Sequence, residues 1–249
     1  MEQYGIIGKP LGHSFSRAYF TEYFAKTGRD ACYLPFELDA ISEVPALIAS
    51  HPDLRGFNVT IPYKQQVIPY LDTLDDAAAA IGAVNVVKVT HDSATGRTML
   101  HGFNTDHVGF RRSLQPLLPA QCTQALILGT GGASKAIVYA LKNLGIGTTS
   151  VSRTPQPGQW GYHDLTAEQL RQYDIIVNCT PLGMFPDEDT CPDIPYEGLD
   201  KHQLCFDLVY NPEETLFLRR AAAQGCTVSN GLQMLYIQAD EAWQIWNAI

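Results

Sequence analysis

Residues 125–136 read ALILGTGGASKA and join an apolar run to a glycine-rich turn. The run at 125–128 is typical of a buried strand, and the pattern from residue 133 onward is helical. Glycine suits the turn because the chain bends sharply and because a backbone without Cβ can approach a pyrophosphate closely. A helix that starts there presents free N–H groups to the anion. The segment therefore predicts a dinucleotide-binding strand–turn–helix unit rather than an ordinary strand-to-helix turn.

The rest of the C-terminal half continues the alternation of short apolar runs with helical patterns. Helices are predicted at 133–144 and 166–172, and Thr166 and Gln169 are spaced as a capping box. Strands are predicted at 125–128, 149–152, 175–179, 204–208 and 227–228. Strands joined by helices form parallel sheets that bind ligands at the carboxyl ends of their strands. We therefore expect a Rossmann-type, doubly wound parallel sheet.

The first hundred residues also alternate strands with helical patterns, which predicts a second α/β domain. The clearest helix is at 15–26, where Phe20, Tyr23 and Phe24 lie on one apolar face. The turn-like segment 91–96 predicts a hairpin. Strands are predicted at 4–7, 32–37, 56–59, 84–90 and 98–103.

These patterns divide the chain into two domains of an α/β fold. An N-terminal α/β substrate domain covers residues 1–104, and a Rossmann-type domain covers residues 105–231. An amphipathic helix at 105–118 connects the two. The last segment, 232–249, is helical and rich in aromatic residues, and we expect it to fold back onto the N-terminal domain.

The composition excludes several classes of protein. Twenty-six acidic residues against 17 Lys or Arg give a formal net charge of −9, so we expect no nucleic-acid partner, which would require a dense basic face. No run reaches the roughly 20 apolar residues of a membrane span, and the first residues lack the basic region of a signal peptide. The six cysteines and seven histidines form no metal-binding pattern. We expect a cytoplasmic protein without a metal.

The end of the second strand in the Rossmann-type domain selects between the two nicotinamide cofactors. NAD enzymes place a carboxylate there for the ribose 2′-hydroxyl, whereas residues 150–154 read SVSRT. Arg153 can pair with a 2′-phosphate through charge-assisted hydrogen bonds, although an ordinary surface arginine is the alternative. The segment favours NADP.

Hydride transfer to a ketone leaves an alkoxide that needs a proton, so a dehydrogenase without a metal needs an acid beside the carbonyl. Lys64 is one candidate because it follows a predicted strand that ends in a turn. Asp106 is the second, at the start of the connecting helix. Taken alone, Lys64 could be a solvated lysine, and Asp106 could be a first-turn acid that matches the helix dipole.

Eight strings, in consistent order along nearly the whole chain, resemble the shikimate dehydrogenase family. Besides the glycine loop they are GIIGKPLGHSFS at 5–16, NVTIPYK at 58–64, GAVN at 82–85, NTD at 104–106, NCTPLGM at 178–184, DLVYNP at 207–212 and GLQMLYIQ at 231–238. The resemblance implies reversible, NADP-linked reduction of 3-dehydroshikimate to shikimate, a step of chorismate and aromatic amino-acid biosynthesis. It also implies that Lys64 and Asp106 are the catalytic pair. Lys64 would donate or accept the proton, and Asp106 would orient Lys64 and bind a substrate hydroxyl.

The resemblance implies further site residues. Side chains that would bind the carboxylate and hydroxyls of the substrate, with the catalytic pair, are Ser14, Ser16, Thr60, Asn85, Tyr210 and Gln238. Residues that would bind the cofactor are Gly129, Thr130, Gly131, Gly132, Ala133, Ser152, Arg153, Thr154, Leu208 and Gly231. Ser14 could instead cap a helix, and Asn85 and Gln238 could be structural amides.

The chain departs from the family's pattern in two places. Arg17 stands where a proline is usual, and Pro155, Gln156 and Pro157 follow where a second basic residue is usual. One cation instead of two would weaken the 2′-phosphate site.

The alternatives are an NAD-using quinate/shikimate dehydrogenase and a non-catalytic ligand sensor on the same fold. The missing acid argues against the first, and the retention of both Lys64 and Asp106 argues against the second. We expect a monomer or a homodimer that binds a small molecule.

Overall fold

Two six-stranded sheets organise the chain, one in each of two units. The structure is a computed structural model that describes residues 1–12, 15–92, 95–119 and 121–248. Unit 1 comprises Met1–Thr105 and Ala239–Ile249, and unit 2 comprises Asp106–Gln238. The sequence placed the boundaries at 104/105 and 231/232, so the second boundary lies further along the chain than expected.

Unit 1 contains a mixed sheet. Its strands are β1 (Glu2–Gly8), β2 (Ala31–Glu37), β3 (Leu54–Val59), β4 (Thr73–Leu74), β5 (Val86–His91) and β6 (Thr98–Phe103). Their order is β2-β1-β3-β5-β6-β4, with β1 parallel to β2 and β3. Strands β5 and β6 pair antiparallel, which confirms the predicted hairpin.

Three helices in unit 1 precede β2, β3 and β5. They are α1 (Phe15–Thr27), α2 (Val44–Ser50) and α3 (Asp76–Ile81). Helix α1 buries Phe20 and Phe24, as its apolar pattern predicted. Helix α3 begins where the Asp75 carboxylate accepts a hydrogen bond from Ala78 N at 2.7 Å, and it ends at Gly82.

Unit 2 contains an all-parallel sheet. Its strands are β7 (Gln124–Leu128), β8 (Gly147–Ser152), β9 (Trp160–Gly161), β10 (Ile175–Asn178), β11 (Leu204–Asp207) and β12 (Thr227–Ser229). Their order is β12-β11-β10-β7-β8-β9, so the winding reverses between β7 and β10. This is the doubly wound order of a Rossmann-type fold and confirms the predicted fold class.

The helices of unit 2 cover both faces of this sheet. They are α4 (Asp106–Leu114), α5 (Gly132–Asn143), α6 (Ala167–Leu170) and α7 (Leu216–Ala223). The predicted capping box at α6 is confirmed, because Gln169 N donates to Thr166 Oγ1 at 3.2 Å and Thr166 N donates to Gln169 Oε1 at 2.8 Å. Among the described helices, none is both long and apolar enough to cross a bilayer.

The last helix, α8 (Leu232–Asn247), contributes to the cores of both units. Met234 is buried in a core cluster of unit 2. Ala239, Ala242 and Trp246 are buried in a cluster of unit 1 that includes Tyr4. The indole of Trp246 donates from Nε1 to Val87 O at 3.0 Å. The C-terminal part of α8 therefore packs on the sheet of unit 1.

Candidate functional site

The turn between β7 and α5 has the geometry of an anion-binding loop. Gly129 has φ +107°, a conformation that side chains rarely adopt, and a Cβ added there would lie 3.0 Å from Thr180 Cγ2. A Cβ added at Gly131 would meet no atom of the described residues within 4 Å. Gly131 is also the N-cap of α5 and supplies no side-chain acceptor to the first-turn N–H groups. Residues 129–133 therefore fit a pyrophosphate at the start of a helix.

A buried carboxylate fixes the strand ends beside this loop. Asp207 is fully buried and accepts hydrogen bonds from Asn178 Nδ2 at 2.9 Å, Val209 N at 3.0 Å and Thr215 Oγ1 at 2.6 Å. Asn178 Oδ1 in turn accepts from the Thr180 hydroxyl at 2.6 Å. This network fixes the carboxyl ends of β10 and β11, where the winding of the sheet reverses.

The Asp207 carboxyl makes the stability of the protein depend on pH. Burial raises its pKa from 3.8 to about 6, although its three hydrogen bonds oppose the rise. Because the folded state then binds the proton more tightly than the unfolded chain, lowering the pH through this window increases the free energy of unfolding. A rise of about two pKa units corresponds to roughly 3 kcal/mol, as an upper limit.

We therefore expect the wild-type protein to gain about 2–3 kcal/mol relative to Asp207→Asn between pH 7.5 and pH 4. The asparagine is neutral throughout, so subtracting its profile removes the contributions of the other carboxyl groups. Urea unfolding of both proteins across this range measures the difference. If the free energies of unfolding of the two proteins change in parallel with pH, the proposed pH dependence does not come from Asp207.

Two residues predicted on the nicotinamide side contact each other through backbone atoms. A Cβ added at Gly231 would overlap the carbonyl oxygen of Leu208, so the close approach requires glycine. Leu208 N donates to Asn178 O at 3.0 Å, which holds this residue beside the end of β10. Tyr210 follows in the same loop, and burial raises the pKa of its phenol. The structure thus brings Leu208, Gly231 and Tyr210 to the carboxyl end of β11.

The predicted adenosine-phosphate residues lie at the end of β8, where Ser152 is the last residue of the strand and Arg153 and Thr154 follow it. Arg153 and Thr154 are exposed, and Thr154 N donates to Ser152 Oγ at 3.2 Å. Burial raises the pKa of Tyr162, and the positive charge of Arg153 opposes that rise. Arg153 is therefore available to an anion at the end of β8.

A chain of hydrogen bonds in unit 1 includes Asn85, one of the predicted substrate residues. Ser16 lies in the first turn of α1. The buried hydroxyl of Tyr33 donates to Asn58 Oδ1 at 2.6 Å. Asn58 Nδ2 donates to the carbonyl oxygen of Asn85 at 3.3 Å. The Asn85 amide accepts from Thr105 N at 2.7 Å and donates to Thr105 Oγ1 at 3.0 Å.

Sequence reasoning missed Tyr33 and Asn58 in this chain. Tyr33 lies inside a strand, where nothing local distinguishes it from its neighbours, and Asn58 begins the string NVTIPYK but was given no role. The one available signal was that a tyrosine in a buried strand needs a partner for its hydroxyl. Ser14 lies outside the described residues.

The turn after β3 holds Thr60 and Lys64. Thr60 N donates to Ile7 O at 2.9 Å, and Tyr63 N donates to Thr60 O at 2.8 Å. The hydroxyl of Tyr63 donates to Leu38 O at 2.8 Å. Lys64 is half-buried, and its carbonyl accepts from Val84 N at 2.7 Å. Its backbone is thus anchored, as a positioned amine requires.

Asp106 and Gln238 lie on helices that approach closely within unit 2. Asp106 opens α4 and is 2% exposed. One turn later, a Cβ added at Gly109 would lie 2.6 Å from Met234 O and 3.3 Å from Gln238 Cβ. Because residues three apart share a helix face, Gln238 lies against the face of α4 that carries Asp106. The predicted pairing of Asp106 with Lys64 stays a prediction.

Comparison with known proteins gives a consistent result. Residues 6–87 match the family model of the shikimate dehydrogenase substrate binding domain. The shikimate dehydrogenase (NADP(+)) of Methanococcus aeolicus is 33% identical over 267 residues, which covers 98% of this chain and 91% of that protein.

Two solved structures are similar over nearly the whole chain. Shikimate 5-dehydrogenase from Thermus thermophilus, in complex with NADP(H) and shikimate, has a TM-score of 0.86 and 32% identity and covers 100% of this chain and 94% of that one. Shikimate 5-dehydrogenase from Listeria monocytogenes, in complex with shikimate and NAD, has a TM-score of 0.83 and 31% identity. The match covers 99% of this chain and 91% of that one.

Proposed function

The chain belongs to the shikimate dehydrogenase family, and from this premise we propose that it catalyses the reversible, NADPH-dependent reduction of 3-dehydroshikimate to shikimate. It is an NADP-dependent oxidoreductase, and the reaction belongs to aromatic amino-acid biosynthesis. The observation that carries the proposal is the match over nearly the full chain to enzymes with this activity. The glycine loop at the reversal point of the sheet supplies the matching chemistry.

The cofactor would lie along the carboxyl ends of the strands of unit 2. Residues 129–133 would bind the pyrophosphate, and Ser152, Arg153 and Thr154 would bind the adenosine phosphate. Leu208 and Gly231 would approach the nicotinamide with backbone atoms. Their backbones lie so close together that a side chain at position 231 would overlap the Leu208 carbonyl oxygen. When bound, NADPH supplies the hydride that reduces the carbonyl carbon.

The proton would come from Lys64. Its Nζ would donate to the carbonyl oxygen as that atom gains negative charge, and Asp106 would orient the amine and accept a hydrogen bond from a substrate hydroxyl. Lys64 is supported by its anchored backbone, and Asp106 by its burial beside Gln238.

Neutral polar side chains would hold the remaining groups of the substrate. Hydroxyl groups would bind the carboxylate, and Asn85 and Gln238 would bind ring hydroxyls. The hydroxyl-bearing residues are Ser14, Ser16, Thr60 and Tyr210. The hydrogen bonds between Asn85 and Thr105 support this arrangement because they restrain the Asn85 side chain before a ligand arrives. We further propose a cytoplasmic location and a monomer or homodimer.

The proposal predicts that the purified protein consumes NADPH when 3-dehydroshikimate is added. Loss of NADPH absorbance measures the forward reaction, and its formation from shikimate and NADP+ measures the reverse. The same assay with quinate in place of shikimate serves as the control, because oxidation of quinate would indicate a quinate/shikimate dehydrogenase instead. A protein that binds NADPH but shows no turnover in either direction would instead be the ligand sensor.

A further inference from the structure

The connection between β8 and β9 is unusually short. Parallel neighbours are usually joined by a dozen or more residues that include a helix. Here residues 153–159, all of them described, contain no helix, and β9 pairs directly with the end of β8 through Val151↔Trp160 and Ser152↔Gly161. The segment that follows Arg153 is therefore a loop.

A tight turn closes this loop. Gln159 N donates to Gln156 O at 2.9 Å, and Gln156 N donates to the side-chain Oε1 of Gln159 at 3.1 Å. Pro157 and Gly158, with φ +87° at the glycine, occupy the two central positions, as in a type II turn. The turn therefore provides no first helical turn whose N–H groups could bind a phosphate beside Arg153.

The segment that contains the loop carries few charges. Within residues 147–164, which are all described, Arg153 is the one Lys or Arg, and it is exposed. The one acid is Asp164, whose carboxylate pairs with His163 at 3.2 Å and accepts from Gly161 N at 2.8 Å. A cofactor would thus meet one cation for a 2′-phosphate and no carboxylate for a 2′-hydroxyl at the end of β8.

We propose that this protein uses NADH as well as NADPH and prefers NADPH by only about tenfold, which corresponds to about 1.4 kcal/mol. The inference rests on the proposed function and specifies its cofactor range. One exposed guanidinium favours the 2′-phosphate modestly, because solvent screens an exposed ion pair. The loop supplies neither a helix N-terminus nor a second cation to add to that preference, and no acid there repels the phosphate.

The test measures binding separately from turnover. Fluorescence titration gives the Kd of NADPH and of NADH, and steady-state assays give kcat/KM for each with 3-dehydroshikimate. Both ratios are expected near tenfold. Arg153→Ala should bring the Kd ratio to about one by weakening NADPH alone, since in this proposal the guanidinium pairs with the 2′-phosphate, which NADH lacks.

A gain-of-cation variant tests the physical cause. Gln156→Arg should raise the Kd ratio about tenfold, because it adds a second charge beside Arg153 while the hydrogen bonds of the turn use the backbone of residue 156. The matched control is Gln224→Arg. Gln224 is exposed and lies between α7 and β12, the edge strand opposite β9. The ratio of the Kd values for NADH and NADPH should not change in this variant.

The outcomes separate this inference from the proposed function. A Kd ratio above about 100-fold, or equal effects of Arg153→Ala on both cofactors, overturns the inference even when turnover is normal. A ratio that Gln156→Arg leaves unchanged overturns it as well. Kd ratios as expected with no turnover on 3-dehydroshikimate support the inference on binding and contradict the proposed function.

Discussion

We expect Lys64→Ala to lower kcat for the reduction of 3-dehydroshikimate by about 100-fold or more, since a positioned proton donor contributes 10²–10⁴-fold. The substitution removes the amine that would protonate the alkoxide. The anchoring hydrogen bond from Val84 N to the Lys64 carbonyl uses the backbone and is retained. Steady-state kinetics with saturating NADPH measure the loss.

The control for this variant is Lys26→Ala. Lys26 is an exposed lysine of α1 that pairs with Glu22, and its removal should leave kcat within about twofold. The Kd of NADPH should stay unchanged in both variants, which shows that the cofactor site is folded. A near-normal kcat for Lys64→Ala would remove Lys64 from the catalytic pair and leave the proton donor to be sought elsewhere.

We expect Trp246→Ala to lower the free energy of unfolding of unit 1 by about 3–5 kcal/mol. Trp246 is 5% exposed and packs on the rings of Tyr4 and Phe20, at centroid distances of 5.0 and 5.3 Å. The substitution leaves a cavity and also leaves Val87 O without the indole donor. Urea unfolding followed by circular dichroism measures the change.

A double-mutant cycle ties this loss to a specific contact. A Cβ added at Gly56 would overlap the indole of Trp246, so Gly56→Ala should destabilise the wild-type protein. In the Trp246→Ala background the added methyl enters the cavity, so the two changes should couple by about 1–2 kcal/mol. Gln244→Ala, at an exposed position of the same helix, should stay within about 0.5 kcal/mol of wild type. Additive effects at 56 and 246 would contradict the packing described.

The strands of unit 2 could be predicted because buried parallel strands appear as continuous apolar runs. ALIL at 125–128 and the runs that form β10 and β11 were found almost to the residue. The predicted helix at 105–118 was too long, because α4 ends at Leu114 and Pro116 lies in a following 3-10 turn. Helix α6 is a single turn rather than the predicted 166–172.

Other features carry no local signal. Strands β4 and β9 are two residues each, too short for any periodicity. The strand predicted at 84–90 begins at Val86, because Val84 N bonds to the Lys64 carbonyl in the adjacent turn. The polar sequence GTTSVS of β8 obscured a strand that the prediction began two residues late.

In the candidate site, too, residues with a local sequence signal could be predicted and residues without one could not. Motif residues such as Gly129 and Arg153 could be predicted as site residues because their proposed chemistry depends on a local turn. Tyr33 and Asn58 could not, since their partners come from distant parts of the chain and only the folded sheet brings them together. The same holds for Gly109, whose contact with α8 depends on a segment more than a hundred residues away.

Helix α8 has a consequence for the order in which the molecule is assembled on the ribosome. The core of unit 1 includes Ala239, Ala242 and Trp246, which are synthesised after every strand of unit 2. Unit 2 can complete its core as soon as Gln238 has left the exit tunnel, whereas the strands of unit 1, which are made before unit 2, must wait for helix residues that are made after it. Translation of unit 1 therefore begins before that of unit 2, and its core is completed afterwards.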